Sequence, residues 1–226
     1  MHLIKVYADF TQENGIDYRK KTLLQINGGT KLLGSAVLIN PGSAKPLSDN
    51  CDETFISEFF KTNHAEKPND IKNWKEFSVD PTMKQLVKLF DGTYATGSPT
   101  KLEGVIQLFN CFYLMEKDLK KALEWYKQQI TNNPEEPQKN TFQEDKYFKD
   151  MPVYFGWGKT GKTDNKIKDT AQNIFKKYQQ KQTSIYNTSF EDTSFYHPRY
   201  VNIAYTRNQE VKKVAADFFK AVMKTK

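Results

Sequence analysis

Ala36-Val37-Leu38-Ile39 is apolar at every position and then stops at Asn40-Pro41-Gly42-Ser43, a pattern that predicts a buried strand ended by a tight turn. Val105-Ile106-Gln107-Leu108-Phe109 repeats the arrangement and ends at Asn110. Met151 to Phe155 reads as a third core strand, and Thr183 to Tyr186 as a short fourth. Thr22 to Ile26 and Lys31 to Ile39 flank Asn27-Gly28-Gly29-Thr30, whose residues tolerate positive φ, so a hairpin is predicted to lead into the first core strand. Between these runs the apolar spacing turns helical. Phe55, Ile56, Phe59 and Phe60 mark a helix over Asp52 to Lys61, and Met83, Leu86, Val87 and Phe90 mark one over Pro81 to Phe90, with Asp80 as its N-cap. Leu119, Leu123, Tyr126 and Ile130 share a face between Lys117 and Ile130, and Asn165 to Gln179 and Arg207 to Lys224 supply two more helices. Thr131 to Asp150, charged and carrying two prolines, reads as a surface connection or flap.

Strands alternating with helices predict an α/β fold: a three-layer α/β/α sandwich around a mainly parallel, four-stranded central sheet, with residues 1–226 forming one domain. In open sheets of this kind ligands bind beyond the carboxyl ends of the strands. Asn40 and Asn110, each closing an apolar run, therefore become candidate site residues.

Composition narrows the partners. The chain has 226 residues, 38% of them hydrophobic, enough to bury a core. Lysine and arginine number 34 against 27 acids, a net charge of +7 that favours a polyanionic partner such as nucleic acid. Cys51 and Cys111 show no CxxC spacing and are too few for a disulfide framework; Cys111, directly after a core strand, is expected to pack as a small hydrophobe. No run approaches the ~18 apolar residues of a membrane span, and the first residues lack the apolar stretch of a signal peptide, so a soluble, cytoplasmic chain is expected.

Leu38-Ile-Asn-Pro-Gly-Ser-Ala44, Asp80-Pro-Thr-Met83, Leu108-Phe-Asn110, Gly156-Trp-Gly158 and His197-Pro-Arg-Tyr200 resemble the uncharacterised bacterial family called domain of unknown function 1643. The same segments, in the same order, resemble the uracil-DNA glycosylase superfamily. Ile39-Asn40-Pro41-Gly42 is similar to the water-positioning loop GINPG, Phe77-Ser78-Val79 to the FSV that stacks on a flipped uracil, and Leu108-Phe109-Asn110 to the LLLN strand that reads it. Val153 to Gly158 is similar to the VFLLWG strand, and His197-Pro198 to the opening of the HPSPLS loop. The likeness spans roughly residues 33 to 205, through motifs each only a few residues long.

This resemblance implies a metal-free, cofactor-free N-glycosidase acting on uracil in single- or double-stranded DNA by base flipping, as a monomer that does not engage membranes. A proteinaceous inhibitor is the protein partner it would admit. By the same resemblance Asn40 orients water, His197 stabilises the departing base anion, Phe77 stacks, and Asn110 reads the base, with Gly42 and Ser43 lining its pocket. Lys45, Lys159, Arg199 and Tyr200 are the DNA-contact candidates. Simpler readings are a turn-capping Asn110, a core Phe77 and a structural His197. Three departures bear on activity. Gly42 stands where a thymine-excluding tyrosine is expected, Ser43 replaces a histidine, and the closing loop lacks a leucine wedge. Asn40 is an amide and cannot act as a general base. Two other functions compete: a noncatalytic DNA-binding relative, and a P-loop nucleotide-binding protein, since Gly156 to Thr163 fits GxxxxGK[ST] after a strand.

Overall fold

The computed structural model describes residues 2–49, 51–68, 70–132, 141–142, 145–148, 151–181, 185–186 and 188–225. Among these, seven strands form a single mixed sheet: β1 (Ile4–Glu13), β2 (Ile16–Ile26), β3 (Leu32–Leu38), β4 (Pro46–Ser48), β5 (Trp74–Phe77), β6 (Gly104–Asn110) and β7 (Val153–Phe155), in the order β4-β5-β1-β2-β6-β3-β7. Only β6, β3 and β7 run parallel; every other neighbouring pair is antiparallel. The expected four-stranded, mainly parallel sheet is thus corrected to a parallel core extended on one side by antiparallel strands.

The parallel core follows from composition. β3, β6 and β7 are buried at every position, as strands covered on both faces must be. β1 and β2 instead form a hairpin across Asn14-Gly15, both in the left-handed region at φ of 52° and 76°, as a two-residue hairpin turn with the twist of its strands requires. The hairpin expected across Asn27-Gly28-Gly29-Thr30 does not form, because β6 inserts between β2 and β3. Gly29 instead carries the chain across the start of β6, so close that a Cβ there would stand 2.3 Å from the Gly104 nitrogen.

Helices cover both faces. On one lie α1 (Glu53–His64), α4 (Leu119–Asn132) and α6 (Asn165–Lys181), packing Phe59, Tyr126 and Phe175 over Tyr7, Val37, Phe109 and Phe155. On the other lie α2 (Pro81–Phe90), α3 (Thr93–Thr96), α7 (Pro198–Ala204) and α8 (Gln209–Lys224), packing Leu86, Phe90, Val201 and Phe218 over Val6, Ala36, Leu38 and Tyr154. Strand alternation sends neighbouring residues to opposite cores, giving the three layers expected. A short turn, α5 (Thr160–Thr163), precedes α6.

Asp80 caps α2, accepting the Met83 N–H at 2.8 Å, with Pro81 in its first turn, as the sequence predicts. Two local expectations change. Of the stretch read as a surface connection, Phe142, Tyr147 and Phe148 are buried in the core beside Phe109, while residues 133–140, 143–144 and 149–150 lie outside the described residues. In the expected fourth strand, Thr183 and Ser184 lie outside the described residues, and Ile185 and Tyr186 are not in a strand. Cys111 is fully buried, and burial pushes its thiol up to about 12. No helix among the described residues is long and apolar enough to cross a membrane.

Candidate active site

Register brings the two asparagines together. In the parallel pairing Leu38 lies opposite Asn110, and the ladder continues past both strands through Cys111 N–H to the Leu38 carbonyl (2.9 Å) and Phe112 N–H to the Ile39 carbonyl (3.1 Å). On the other side Gly156 N–H donates to the Val37 carbonyl at 2.9 Å, so the end of β3 sits between the ends of β6 and β7. A cavity of about 410 Å³ opens at this edge, within the ordinary range for small-molecule sites. Asn40, Gly42, Ser43, Asn110, His197 and Arg199 line it.

The two asparagines are held differently. Asn40 donates its Nδ2–H to the Glu116 carbonyl at 2.6 Å, which turns the amide and leaves Oδ1 as the end that can accept. Asn110 is 1% exposed, and neither its Oδ1 nor its Nδ2 has a hydrogen-bond partner. An unmet amide buried this deeply is costly in the free protein, and a complementary donor–acceptor edge would satisfy it.

His197 reaches the cavity from the N-cap of α7, where its Nδ1 accepts the Arg199 N–H at 3.3 Å. An accepting Nδ1 assigns the ring proton to Nε2. Burial first, and then the Arg199 cation, hold the imidazole below its ordinary 6.5, with Asp80 pulling the other way, so His197 is neutral at pH 7. The segment before it is tied to β7: Tyr154 Oη donates to the Tyr196 carbonyl at 2.5 Å, and Gly158 N–H to the Phe195 carbonyl at 2.6 Å. Gly156 is needed for this approach, because a Cβ there would meet Leu38 Cδ2 at 2.7 Å and Pro198 Cδ at 3.0 Å.

The remaining expected residues divide. Phe77 is buried and does not line the cavity; the Arg19 guanidinium lies over its ring, 5.4 Å from the centroid, and Phe10 packs beside it. The aromatic that lines the cavity is Trp157. Gly42 adopts φ of +71° with open space where a side chain would begin, so nothing on this residue closes the pocket. Lys45 and Lys159 are exposed and do not line the cavity, although Lys159 stands between the lining residues Gly158 and Thr160. Tyr200 is 45% exposed and stacks on Tyr196 outside the cavity, with ring centroids 5.5 Å apart.

Sequence reasoning missed three charged groups here. Arg19 is 1% exposed and lines the cavity; its Nη2 donates to the Pro41 carbonyl, whereas Nε and Nη1 have no hydrogen-bond partner. Burial pushes this guanidinium down to about 10, with Asp80 opposing the shift. Asp80, which the sequence marks as a helix cap and as part of the resemblance but not as a site residue, is the single carboxylate among the lining residues. Lys117 adds a further cation to the lining.

The segment fitting a P-loop does not form an open phosphate cradle. Trp157 fills its centre, with Gly161 packed against the indole, and Lys162 Nζ donates to the Glu191 carbonyl at 2.5 Å, lying 5.6 Å from the Phe195 ring centroid. Among the described residues no group of three or more His, Cys, Asp or Glu side chains is placed to hold a metal ion. Comparison of the chain with protein-family models, with curated proteins and with solved structures found no match.

Proposed function

We propose that the chain is a uracil-DNA glycosylase-like N-glycosidase that draws a flipped nucleotide into the cavity between β3, β6 and α7 and hydrolyses its glycosidic bond. One observation carries the reading: Asn110, whose buried amide is unmet at both Oδ1 and Nδ2, lines the cavity together with Asn40 and His197. Such an amide complements an N–H adjacent to a carbonyl, which is the edge uracil offers through N3 and O4. Asn40 Oδ1 accepts from the attacking water and orients it. As the C1′–N1 bond breaks, its electron pair moves onto the base, and His197 Nε2–H donates to the oxygen where that charge gathers. The water oxygen bonds to C1′, and Asp80, the carboxylate of the cavity, takes its proton and returns it to solvent after release of the base. Asp80 also faces the sugar while it carries positive charge.

This division of labour answers the weakness of Asn40 as a base, since the carboxylate comes from a different element. The polyanion is met by the net charge of +7 and by Lys117 and Arg199 at the cavity. The test is excision of uracil from a labelled oligonucleotide in EDTA, read as alkali-labile cleavage, with His197→Ala and Asn110→Leu beside the wild type. Uracil excision that falls about 100-fold or more in both variants is expected from the loss of one donor to the developing anion or of the base-reading amide. No excision by the wild type, together with salt-dependent DNA binding, would replace this reading with that of a noncatalytic DNA-binding protein.

A further inference from the structure

We propose that Arg19 is a second, cationic donor to the departing base, and that with Asn110 it selects bases carrying an imide edge, an N–H flanked by two carbonyls. This inference rests on the glycosidase reading above. It arises from a residue outside the stretch that carries the family resemblance.

The placement of Arg19 is a consequence of topology. β2 runs antiparallel to β6, with Thr22 opposite Leu108 and Ile26 opposite Gly104, so the beginning of β2 lies where β6 ends. The pairing extends beyond the end of β6, with Arg19 N–H donating to the Tyr113 carbonyl and Met115 N–H to the Asp17 carbonyl, both at 2.9 Å. Arg19 is thereby carried to the carboxyl edge of the parallel core, and its guanidinium is stacked on Phe77 and anchored to the Pro41 carbonyl. The covering ring and the anchor hold the group in place while leaving Nε and Nη1 unmet.

The unmet buried atoms of these cavity-lining residues are mostly donors. Arg19 contributes Nε and Nη1, Asn110 contributes Nδ2, and Trp157 Nε1 is also buried without a partner; the opposing unmet acceptor among these residues is Asn110 Oδ1. A buried guanidinium without a paired acid is costly, and an acceptor-rich ligand gaining negative charge would offset that cost. Asn110 can take the ring N–H and one carbonyl of an imide. Arg19 and His197 then share the second carbonyl, whose two lone pairs accept both. When the glycosidic bond breaks, the electron pair passes from C1′ to the ring nitrogen and spreads onto that carbonyl, so the Arg19 contact strengthens in the transition state. Uracil and xanthine present this edge. Hypoxanthine and cytosine, with one carbonyl each, leave a donor unmet.

The experiment compares oligonucleotides bearing a single uracil, xanthine or hypoxanthine, using wild type, Arg19→Met and Arg19→Lys, and measures calorimetric binding of the free bases to the same proteins. Wild type is expected to excise uracil and xanthine at least about tenfold faster than hypoxanthine, the margin of one charged hydrogen bond. Folded Arg19→Met should lose about 100-fold on uracil, and Arg19→Lys should recover part of it. Folded Arg19→Met excising uracil at the wild-type rate would overturn the inference and leave the glycosidase reading standing. Should Arg19→Met fail to fold, wild type decides: hypoxanthine processed as well as xanthine overturns the imide selection. If wild type excises none of the three, the glycosidase reading fails separately and binding decides. Xanthine held at least about tenfold more tightly than hypoxanthine would retain Arg19 as the imide receptor, while equal affinity or no binding would remove it.

Discussion

Replacing Asn110 by leucine should make the free protein more stable while abolishing a function that uses the amide. Asn110 is 1% exposed with both polar atoms unmet, and it is flanked in the sheet by the side chains of an apolar layer. A buried amide without partners costs about 1–3 kcal/mol by the measure of protein mutants. Leucine matches asparagine closely in shape and carries no polar atom, so that cost disappears and apolar contact is added. The expected gain is about 1–2 kcal/mol, which for a chain of this size raises Tm by about 2–4 °C per kcal/mol. Asn40 supplies the internal control. Its Nδ2–H is bonded to the Glu116 carbonyl at 2.6 Å, so Asn40→Leu should move stability the other way, by about 1 kcal/mol. Urea unfolding of the three proteins, with the m value checked for constancy, measures both changes. Asn110→Leu unfolding at the same or lower urea concentration than wild type would refute the reasoning, because it would show that the amide is already satisfied in the free protein.

Three further outcomes are expected. In the proposed mechanism His197 is a neutral donor, and it also caps α7, and burial lowers its pKa below 6.5; excision and stability should both be complete above pH 6.5 and decline as pH falls through the lowered value, so an acid limb centred at or above 6.5 would contradict this. Gly156→Ala places a methyl group 2.7 Å from Leu38 Cδ2 and 3.0 Å from Pro198 Cδ, which should cost about 1–3 kcal/mol and lower kcat more than KM by displacing His197; unfolding and steady-state kinetics test it, and wild-type values would show that α7 yields freely. Removing Arg199, a cavity-lining cation, should weaken DNA binding and reduce the slope of log affinity against log salt by about 1; an unchanged slope would exclude it as a phosphate contact.

Much of the core is legible in the sequence because its signals are local. β3, β6 and β7 are continuous apolar runs, and α2 announces itself through Asp80, Pro81 and a 3.6-residue period. The strand ends at Asn40 and Asn110 follow from the same runs, so two of the cavity residues can be picked out from local pattern alone. The antiparallel strands are less visible. β5 is four residues long and β4 three, and β1 buries Val6, Tyr7 and Ala8 but leaves its later positions partly open. Asn14-Gly15 carries a hairpin signal as clear as that of Asn27-Gly28-Gly29, and local chemistry does not decide between them. The outcome is set by β6, which pairs with β2 on one edge and with β3 on the other and so keeps those two strands apart.

Sequence by itself determined the alternating elements, the broken strands and the polar residues that close them, because each depends on neighbours a few positions away. Tertiary structure alone decided which of those residues share a cavity. In Asp17-Tyr18-Arg19-Lys20-Lys21 nothing local separates Arg19 from the lysines that follow, yet Arg19 is buried over Phe77 with two nitrogens unmet while Lys20 and Lys21 remain half-exposed. Phe77 likewise has the sequence context of a stacking residue and the packing of a core one. The physical reason is that strand direction and register are cooperative properties of the whole sheet. An antiparallel β2 beside β6 brings a distant cation to the strand ends, and no window of sequence contains both partners.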